Sequence, residues 1–338
     1  MKKRVLAAFL SMAMVAGLAT GCGTPGGGKS DSDSADGKVF RYAVNTLPTT
    51  LDPTKGQSIG DNEIQHAVTE GLTRNTAGDV KPGIAESWDE SEDGLTYTFH
   101  LRKDAKWSDG EPITAADFEY SWKRLVNPET ASPYAFIGDC LKNGQAIEQG
   151  NMDVEELGVK AVDDTTLEVT LEHPTSYFLS LIGSSGQFAP LRQDIVEKYG
   201  TDFAATSEKN VYSGPFVMTS SEDNVWTFEK NDNYWDKDSI NLDKCELNYV
   251  ENTDTQLSMY EAGDLDYVQV PTAYVPDYKD KAEVFANGNV DFCYINEKSD
   301  NPALSNKNFR LALNYALNRN DYNKLANADT YTAFNGLV

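Results

Sequence analysis

Histidine, cysteine and basic residues are scarce in this sequence of 338 residues. It contains three histidines, four cysteines and 29 lysines and arginines against 53 aspartates and glutamates, for a formal net charge of -24. So acidic a chain repels nucleic acids and anionic lipid headgroups, which excludes a nucleic-acid partner. The hydrophobic content of 40% and the charged content of 24% are those of an ordinary folded protein, so disorder throughout the chain is excluded as well.

The few cysteines argue against a disulfide framework or a zinc site. Cys140, Cys245 and Cys293 are widely spaced, and the chain has no C-x-x-C motif. At most one disulfide could form among these three, and the sequence leaves the pair open. Cys22 stands apart from them, at the end of an apolar N-terminal segment.

Catalytic and cofactor motifs are lacking too. His66, His100 and His173 lie in no H-E-x-x-H or comparable spacing, and residues 183–186 are not a G-x-S-x-G motif and are predicted to form a loop. Asp163-Asp164 fits a hairpin turn better than a catalytic carboxylate pair, because adjacent strand residues point to opposite faces. No glycine-rich phosphate loop opens a helix. We therefore expect no enzymatic activity, no cofactor and no metal site.

The N-terminus has the features of a secretory signal. Residues 2–4 are Lys, Lys and Arg, and an apolar run from Val5 to Ala19 follows. Ala19-Thr20-Gly21-Cys22 resembles the lipobox of bacterial lipoproteins, which implies removal of residues 1–21 and lipid attachment to Cys22. A plain signal peptide with a chance cysteine is the alternative. Residues 22–37, rich in Gly, Ser and Asp, are predicted to be a flexible tether that joins the folded part to a lipid anchor on the extracytoplasmic face of a cell membrane.

Short strands and helices alternate irregularly along the rest of the chain, which predicts an α/β or α+β protein with mixed sheets. Tyr97, Phe99 and Leu101 alternate with polar residues, as do Leu167 and Val169, so both segments are predicted to be half-buried strands. Asp-Gly or Asp-Asp pairs flank these segments, as expected of turns.

Three helices are predicted from local signals. Residues Thr114 to Asp117 resemble a capping box, and the helix that they open stops at Asn127-Pro128. A second helix over Asp254 to Ala262 is followed by a strand over Leu265 to Val268. Apolar residues at helical spacing from Phe309 to Ala316 predict a third, amphipathic helix, whose apolar face needs a partner.

A series of short motifs covers nearly all of residues 38–325. The longest segment runs from Tyr97 to Tyr134 and contains KWSDGEPITAADFEYSWKRL. The others are Leu51-Asp52-Pro53, PGIAESW at 82–88, GVKAVDDTTLEVTL at 158–171, Ser213-Gly214-Pro215-Phe216, Asn233-Tyr234-Trp235, YEAGDLD at 260–266 and NFRLALNYALNR at 308–319. In order and spacing these motifs resemble those of the oligopeptide-binding proteins of ABC importers, solute-binding protein family 5.

The resemblance implies an α/β periplasmic-binding-protein-like fold of the large, three-subdomain type II form, with mixed sheets. Two lobes would close over the ligand around a hinge. Residues 38–68 and 188–288 would form lobe I, and residues 69–187 would be a subdomain inserted into it. The hinge strands are expected near residues 290–296, within a segment 289–338 that also begins lobe II. Because relatives continue further, we expect lobe II to be incomplete in this chain.

In this family an extended peptide lies between the lobes, with its main chain bonded as an added strand and its side chains in roomy pockets. Such binding gives affinity without demanding a sequence. Carried over by position, the resemblance implies ligand-binding roles for Gln57, Ser58 and Ile59 in one loop, Tyr134 in the cleft wall, Gln269 and Val270 in a second strand, and Phe292 and Cys293 near the hinge. Gln57 stands where relatives can have an acid.

The function implied is capture of oligopeptides by a monomeric, lipid-anchored protein and their delivery to ABC transporter permease subunits. One alternative is a member of the same family that binds a dipeptide, a nickel complex, haem or an oligosaccharide. Another is a secreted lipoprotein enzyme, for which no nucleophile or carboxylate pair was found. A third is an incomplete, non-functional fragment, and for the isolated 338 residues we expect weak peptide binding or none.

Overall fold

The computed structural model describes residues 37–76, 78–284 and 292–333. The signal peptide predicted at 1–21, the lipidation site predicted at Cys22 and all of the predicted tether except Gly37 lie outside the described residues.

Strands and helices alternate irregularly, as predicted. The strands are β1 Val39–Val44, β2 Thr73–Thr76, β3 Asp79–Pro82, β4 Ala85–Glu90, β5 Thr96–Leu101, β6 Val159–Asp163, β7 Thr166–Thr170, β8 Phe216–Glu222, β9 Val225–Lys230 and β10 Lys244–Tyr249. The helices are α1 Ile59–Val68, α2 Ala115–Val126, α3 Gly144–Glu148, α4 Phe178–Ser184, α5 Gln193–Tyr199, α6 Thr253–Ala262, α7 Val275–Tyr278, α8 Pro302–Ser305, α9 Lys307–Ala316 and α10 Arg319–Ala326.

Strands from distant parts of the chain form the first four-stranded sheet, in the order β1-β10-β9-β8. β1 and β10 run parallel, whereas the other neighbours are antiparallel, so the sheet is mixed. The hydrophobic core associated with it takes buried residues from 44–68 and from 191–247, among them Ile64 and Val68 of α1 and Phe228 and Leu247 of the sheet. Helix α1 thus packs into the core of this sheet.

The second four-stranded sheet is antiparallel and has the order β4-β5-β7-β6. The alternation recognised in the sequence places Phe99 opposite Leu167 and Tyr97 opposite Val169, and all four side chains are buried. Helix α2 packs against β6 and β7, and the resulting core takes its buried residues from 72–188. Both strand predictions are confirmed, as is the hairpin turn at Asp163-Asp164.

All three helix predictions are confirmed, the first two as α2 and α6. Helix α2 starts after its N-cap Thr114 and ends at Val126, because Pro128 cannot continue it. Helix α6 ends at Gly263, which has a φ of 86°. Left-handed backbone of this kind favours glycine, as expected for a helix end.

Other local predictions were wrong. The strand predicted at residues 265–268 is a single bridge between Tyr267 and Tyr42, because the N–H groups of Asp266 and Tyr267 both donate to the Arg41 carbonyl and no ladder continues. Residues 292–296 of the predicted hinge form no strand, since no described strand pairs with them. The loop predicted at residues 183–186 is helical, because residues 183 and 184 complete α4.

The third predicted helix, over Phe309 to Ala316, is confirmed as α9, and a second helix follows it. Helix α9 ends at Ala316 and α10 begins at Arg319, because the Asn318 side chain caps the second helix by accepting from the N–H groups of Asn320 and Asp321. No α9 residue is buried within the described part of the chain, and Phe309 and Leu313 remain 40% and 44% exposed. The apolar face of α9 has no packing partner there.

The described residues offer neither a membrane span nor a metal site, and their cysteines are unpaired. No helix in the described ranges is both long enough and apolar enough to cross a membrane. The same residues contain no cluster of ligands suited to a metal ion. Cys140, Cys245 and Cys293 are all free, and burial raises the pKa of the Cys140 and Cys245 thiols to about 11. Neither of these two thiols is therefore activated as a nucleophile.

Candidate functional site

The segment of residues 49–58 folds around one carboxylate, that of Asp61. Asp61 Oδ1 accepts hydrogen bonds from the backbone N–H groups of Thr49 at 2.6 Å and Thr50 at 3.0 Å. Its Oδ2 accepts from the backbone N–H groups of Gln57 at 3.1 Å and Ser58 at 2.9 Å. A single side chain therefore holds both ends of the segment.

The environment of Asp61 favours its ionised form. The residue is fully buried, and burial by itself would raise the pKa of its carboxyl. The four backbone N–H donors outweigh burial and hold the pKa below its ordinary value. Asp61 also occupies the third position of α1, and its N–H donates to Ser58 Oγ at 2.9 Å, which completes a capping box. A negative charge in this first turn is favoured by the helix dipole as well.

A buried ion pair holds the middle of the segment. Asp52 accepts from the Arg124 guanidinium of α2 at 2.9 and 2.7 Å, and from the Thr54 hydroxyl at 2.8 Å. The Asp52 carbonyl accepts from the N–H groups of Lys55 and Gly56, each at 3.0 Å. Because Arg124 belongs to a helix of the other core, this bidentate pair ties the segment to that core.

The inner side of the segment is tightly packed at two glycines. A Cβ on Gly56 would lie 2.1 Å from Nε2 of the buried Gln65 side chain. A Cβ on Gly60, in the first turn of α1, would lie 2.4 Å from the Thr46 carbonyl oxygen. The contact at Gly60 is with backbone and therefore requires glycine, whereas at Gly56 a larger residue would displace the end of the Gln65 side chain.

The outer side presents the residues that the family resemblance selected. Gln57 is exposed, Ser58 is half-buried, and Ile59 is 60% exposed although it is apolar. The N–H groups of Gln57 and Ser58 are already bonded to Asp61, so these two groups are not available to a ligand. Among the described residues, nothing donates to the Gln57 carbonyl, and the Ile59 N–H has no acceptor.

The other predicted ligand residues belong to three further segments of the chain. Tyr134 is half-buried after α2, and its ring centroid is 5.7 Å from that of Phe136. Gln269 is exposed and Val270 is half-buried, just beyond the bridge between Tyr267 and β1. Phe292 and Cys293 are exposed, with the Phe292 ring 4.7 Å from the Tyr294 ring. No hydrogen bond joins these groups to one another or to residues 57–59 within the described ranges.

A cleft of about 300 Å³ opens beside the inner part of the segment. Its lining includes Thr49, Asp52, Lys55, Arg124 and Trp226. None of the predicted ligand-binding residues lines this cleft. It is therefore distinct from the surface that Gln57 and Ile59 present.

A second polar network joins the Asn233-Tyr234-Trp235 motif to Glu70 and Arg74, with Glu70 and Tyr234 buried and Arg74 and Trp235 half-buried. Glu70 accepts from Arg74 Nε at 2.6 Å and from the Tyr234 hydroxyl at 2.9 Å, while Arg74 also pairs with Asp236 at 2.9 Å. Burial raises the pKa of Glu70, against the opposing effect of Arg74 and Tyr234. The Trp235 ring lies between two guanidinium groups, 3.5 Å from that of Arg102 and 4.7 Å from that of Arg74. The Asn233-Tyr234-Trp235 motif thus has a packing role.

The sequence analysis missed Asp52, Asp61 and Arg124. A local signal for Asp61 was available, because Ser58-x-x-Asp61 has the same capping pattern as Thr114-x-x-Asp117. The contacts of Asp52 and Arg124 carried no such signal, since 72 positions separate the two residues.

Comparisons with known proteins agree with this architecture. Residues 79–338 match the family model described as bacterial extracellular solute-binding proteins, family 5 Middle. The chain is 35% identical to a dipeptide-binding protein of Lactococcus lactis, over 87% of this chain and 56% of that protein. It is 33% identical to the oligopeptide-binding protein OppA of Bacillus subtilis, over 94% of this chain and 60% of that protein. The chain therefore spans little more than half the length of these relatives.

Solved structures give the same result. Listeria monocytogenes OppA bound to peptide matches with a TM-score of 0.71 and 32% identity, over 86% of this chain and 58% of that one. Burkholderia pseudomallei OppA matches with a TM-score of 0.75 and 31% identity, over 88% of this chain and 59% of that one. The predicted periplasmic-binding-protein-like α/β fold is confirmed. With its mixed sheets, its motifs and these similarities, the chain belongs to the bacterial extracellular solute-binding proteins of family 5, the family that includes the OppA proteins.

Proposed function

We propose that the protein binds oligopeptides in an extended conformation along the outer side of Gln57, Ser58 and Ile59, and delivers them to the permease of an ABC transporter. The proposal is supported by membership of a solute-binding family and by the similarity to Listeria monocytogenes OppA bound to peptide. The remaining contacts would come from Tyr134, Gln269, Val270, Phe292 and Cys293.

One observation carries the proposal, namely the pair of unbonded main-chain groups at Gln57 and Ile59. The Gln57 carbonyl and the Ile59 N–H belong to residues two positions apart on an exposed stretch. A strand that adds to an exposed backbone needs alternating acceptors and donors of this kind. Since every peptide has the complementary groups, such contacts would bind peptides of many sequences.

The two hydrophobic cores support the proposed division of the chain. We take residues 38–68 and 188–288 as lobe I, because one core draws its buried apolar residues from 44–68 and 191–247. Residues 69–187 would be the inserted subdomain, because the other core draws its buried apolar residues from 72–188, with Phe188 just beyond the proposed bound. Residues 289–338 would contain the hinge and the start of lobe II.

The proposed location is the extracytoplasmic face of the cell membrane, with the protein anchored through Cys22. Mass spectrometry of the mature N-terminus tests this part. A diacylglyceryl group on Cys22 is the expected result, and Cys22→Ala should release the protein from the membrane fraction. An unmodified mature N-terminus at another residue would contradict the lipid anchor but would leave the proposed peptide binding untested by this result.

Calorimetric titration of the complete gene product with mixed tri- to pentapeptides tests the binding. Ile59→Pro deletes the proposed donor, and proline is well accepted at the first position of a helix. Ile59→Ala is the matched control, because it shortens the side chain but keeps the N–H. We expect Ile59→Pro to bind roughly fivefold more weakly than Ile59→Ala, as for the loss of one hydrogen bond. Cleavage of the peptides, or binding of a sugar and no peptide, would overturn the proposal.

A dipeptide is the second candidate ligand. It is favoured by the similarity to the dipeptide-binding protein of Lactococcus lactis and to the dipeptide-binding protein DppE of Bacillus subtilis, which is 39% identical over 74% of this chain. The same titration with dipeptides distinguishes the two. Saturation by dipeptides alone would replace the oligopeptide assignment.

A further inference from the structure

We propose that Asp61 is a positioning residue, which fixes residues 49–58 in the conformation that presents Gln57 and Ile59 to a peptide. The inference rests on the proposed peptide binding for its functional consequence. Its structural part stands on the contacts of Asp61 itself.

Asp61 is the sole acceptor for both ends of the segment within the described chain. The N–H groups of Thr49 and Thr50 at one end and of Gln57 and Ser58 at the other have no other acceptor there. The Asp52–Arg124 pair holds the middle of the segment but touches neither end. The conformation of both ends therefore depends on Asp61.

The same carboxylate decides which main-chain groups remain for a ligand. Asp61 accepts from the N–H groups of Gln57 and Ser58. The Ser58 carbonyl accepts from the Asn62 N–H at 3.1 Å. What is left on the exposed face is the Gln57 carbonyl and the Ile59 N–H. Without Asp61, the N–H groups of Thr49, Thr50, Gln57 and Ser58 would have to turn toward solvent to find acceptors, and this spacing of free groups would be lost.

Asp61→Asn is the most direct variant. It has nearly the same shape, but an amide offers one acceptor oxygen where the carboxylate offers two. Either the Thr49 and Thr50 end or the Gln57 and Ser58 end must then lose its acceptor and face an amide N–H instead. Asp117→Asn is the matched control, because Asp117 has the same position in α2 and is not among the predicted ligand-binding residues.

Peptide titration and amide hydrogen exchange of the complete gene product separate the possible results. We expect Asp61→Asn to weaken peptide binding roughly tenfold or more, and to speed exchange of the Gln57 and Ser58 or the Thr49 and Thr50 amides by a similar factor. Asp117→Asn should change the affinity by less than about twofold. Affinity unchanged in Asp61→Asn, while the unmodified protein binds peptide, would overturn the positioning role.

Failure of the proposed function gives a different result. If the unmodified protein binds no peptide, the exchange data still decide the structural part, and equal exchange in Asp61→Asn and the unmodified protein would overturn it. Should Asp61→Asn fail to fold, Thr49→Val replaces it, since this variant removes only the hydroxyl that donates to Asp61 at 3.1 and 3.2 Å. We then expect a roughly two- to threefold loss of affinity, and no loss would contradict the inference.

Discussion

Helices α1 and α2 begin in the same way, with a hydroxyl residue at the N-cap and an aspartate three positions later. Asp61 of α1 accepts from four backbone N–H groups, which belong to two stretches of chain. Asp117 of α2 accepts from one backbone N–H, that of Thr114 at 2.8 Å, and from the Trp107 ring N–H at 3.4 Å. One aspartate therefore organises a segment, while the other serves mainly as a local cap.

The pKa values of the two carboxyls move in opposite directions for this reason. Burial raises the pKa of Asp117, and its few hydrogen bonds do not compensate. At Asp61 the effect of burial is outweighed by the N–H donors, and the pKa is lowered. A capping pattern in the sequence therefore locates a helix start but does not reveal how many distant groups donate to the same carboxylate.

Replacing each aspartate with asparagine, which removes its negative charge, should give the largest difference in stability between the Asp61 and Asp117 variants. We expect Asp61→Asn to lower the free energy of unfolding by about 3 kcal/mol, because two of the N–H groups that donate to this buried side chain lose a charged acceptor. Asp117→Asn should cost about 1 kcal/mol, as for the loss of a helix cap. Urea denaturation of both variants measures the difference, and equal losses would contradict the distinction.

Substitution of Gly60 and of Ala116, the residues before the two aspartates, should give the next largest difference in stability. A Cβ at Gly60 would lie 2.4 Å from the Thr46 carbonyl oxygen, which is part of the backbone, whereas Ala116 in α2 is exposed. We expect Gly60→Ala to destabilise the protein by about 2 kcal/mol through overpacking. Ala116→Gly should cost about 1 kcal/mol or less through backbone entropy. Thermal unfolding ranks the two, and a stabilising Gly60→Ala would show that the segment has room to move.

The pH dependence of stability should show the smallest but most diagnostic difference. Because folding lowers the pKa of Asp61, its contribution is present above the unfolded-state pKa of about 4 and is lost as the pH falls through the folded-state value. Because folding raises the pKa of Asp117, its contribution is present below about pH 4 and is lost as the pH rises through the folded-state value.

The two asparagine variants should therefore change the pH profile in different windows. Asp61→Asn should reduce the acid destabilisation below about pH 4, and Asp117→Asn should remove a loss of stability that occurs above about pH 4. Urea midpoints measured from acid to neutral pH test this. Changes in the same window for both variants would show that the pKa values do not diverge.

Much of the local structure could be predicted because its signals lie within a few residues. The alternation at Tyr97, Phe99 and Leu101 gave the strand β5, and Thr114 to Asp117 gave the start of α2. The prediction at Leu265 to Val268 was wrong, since a strand needs a partner over several residues and the chain there meets β1 at only one. The hinge strand predicted near residues 290–296 was wrong for the same reason, because its described residues 292–296 pair with no other strand.

The candidate site was predictable only in outline. The resemblance selected Gln57, Ser58 and Ile59, and their ligand-binding role stays a prediction. It could not indicate that the N–H groups of Gln57 and Ser58 are already bonded to Asp61. The bounds of the lobes also stay a prediction.

The sequence by itself determined the strand and helix signals, the capping box at Thr114 to Asp117 and the order of family motifs, because each depends on neighbouring residues. Only the tertiary structure decided that β1 pairs with β10, that Arg124 reaches Asp52, and that Thr49 and Ser58 share the carboxylate of Asp61. These contacts join groups that are distant in the sequence and that meet only when the chain has folded and water has been excluded from the polar groups of its interior. Which main-chain groups remain for a ligand follows from that closure, because each buried N–H must first find its own acceptor.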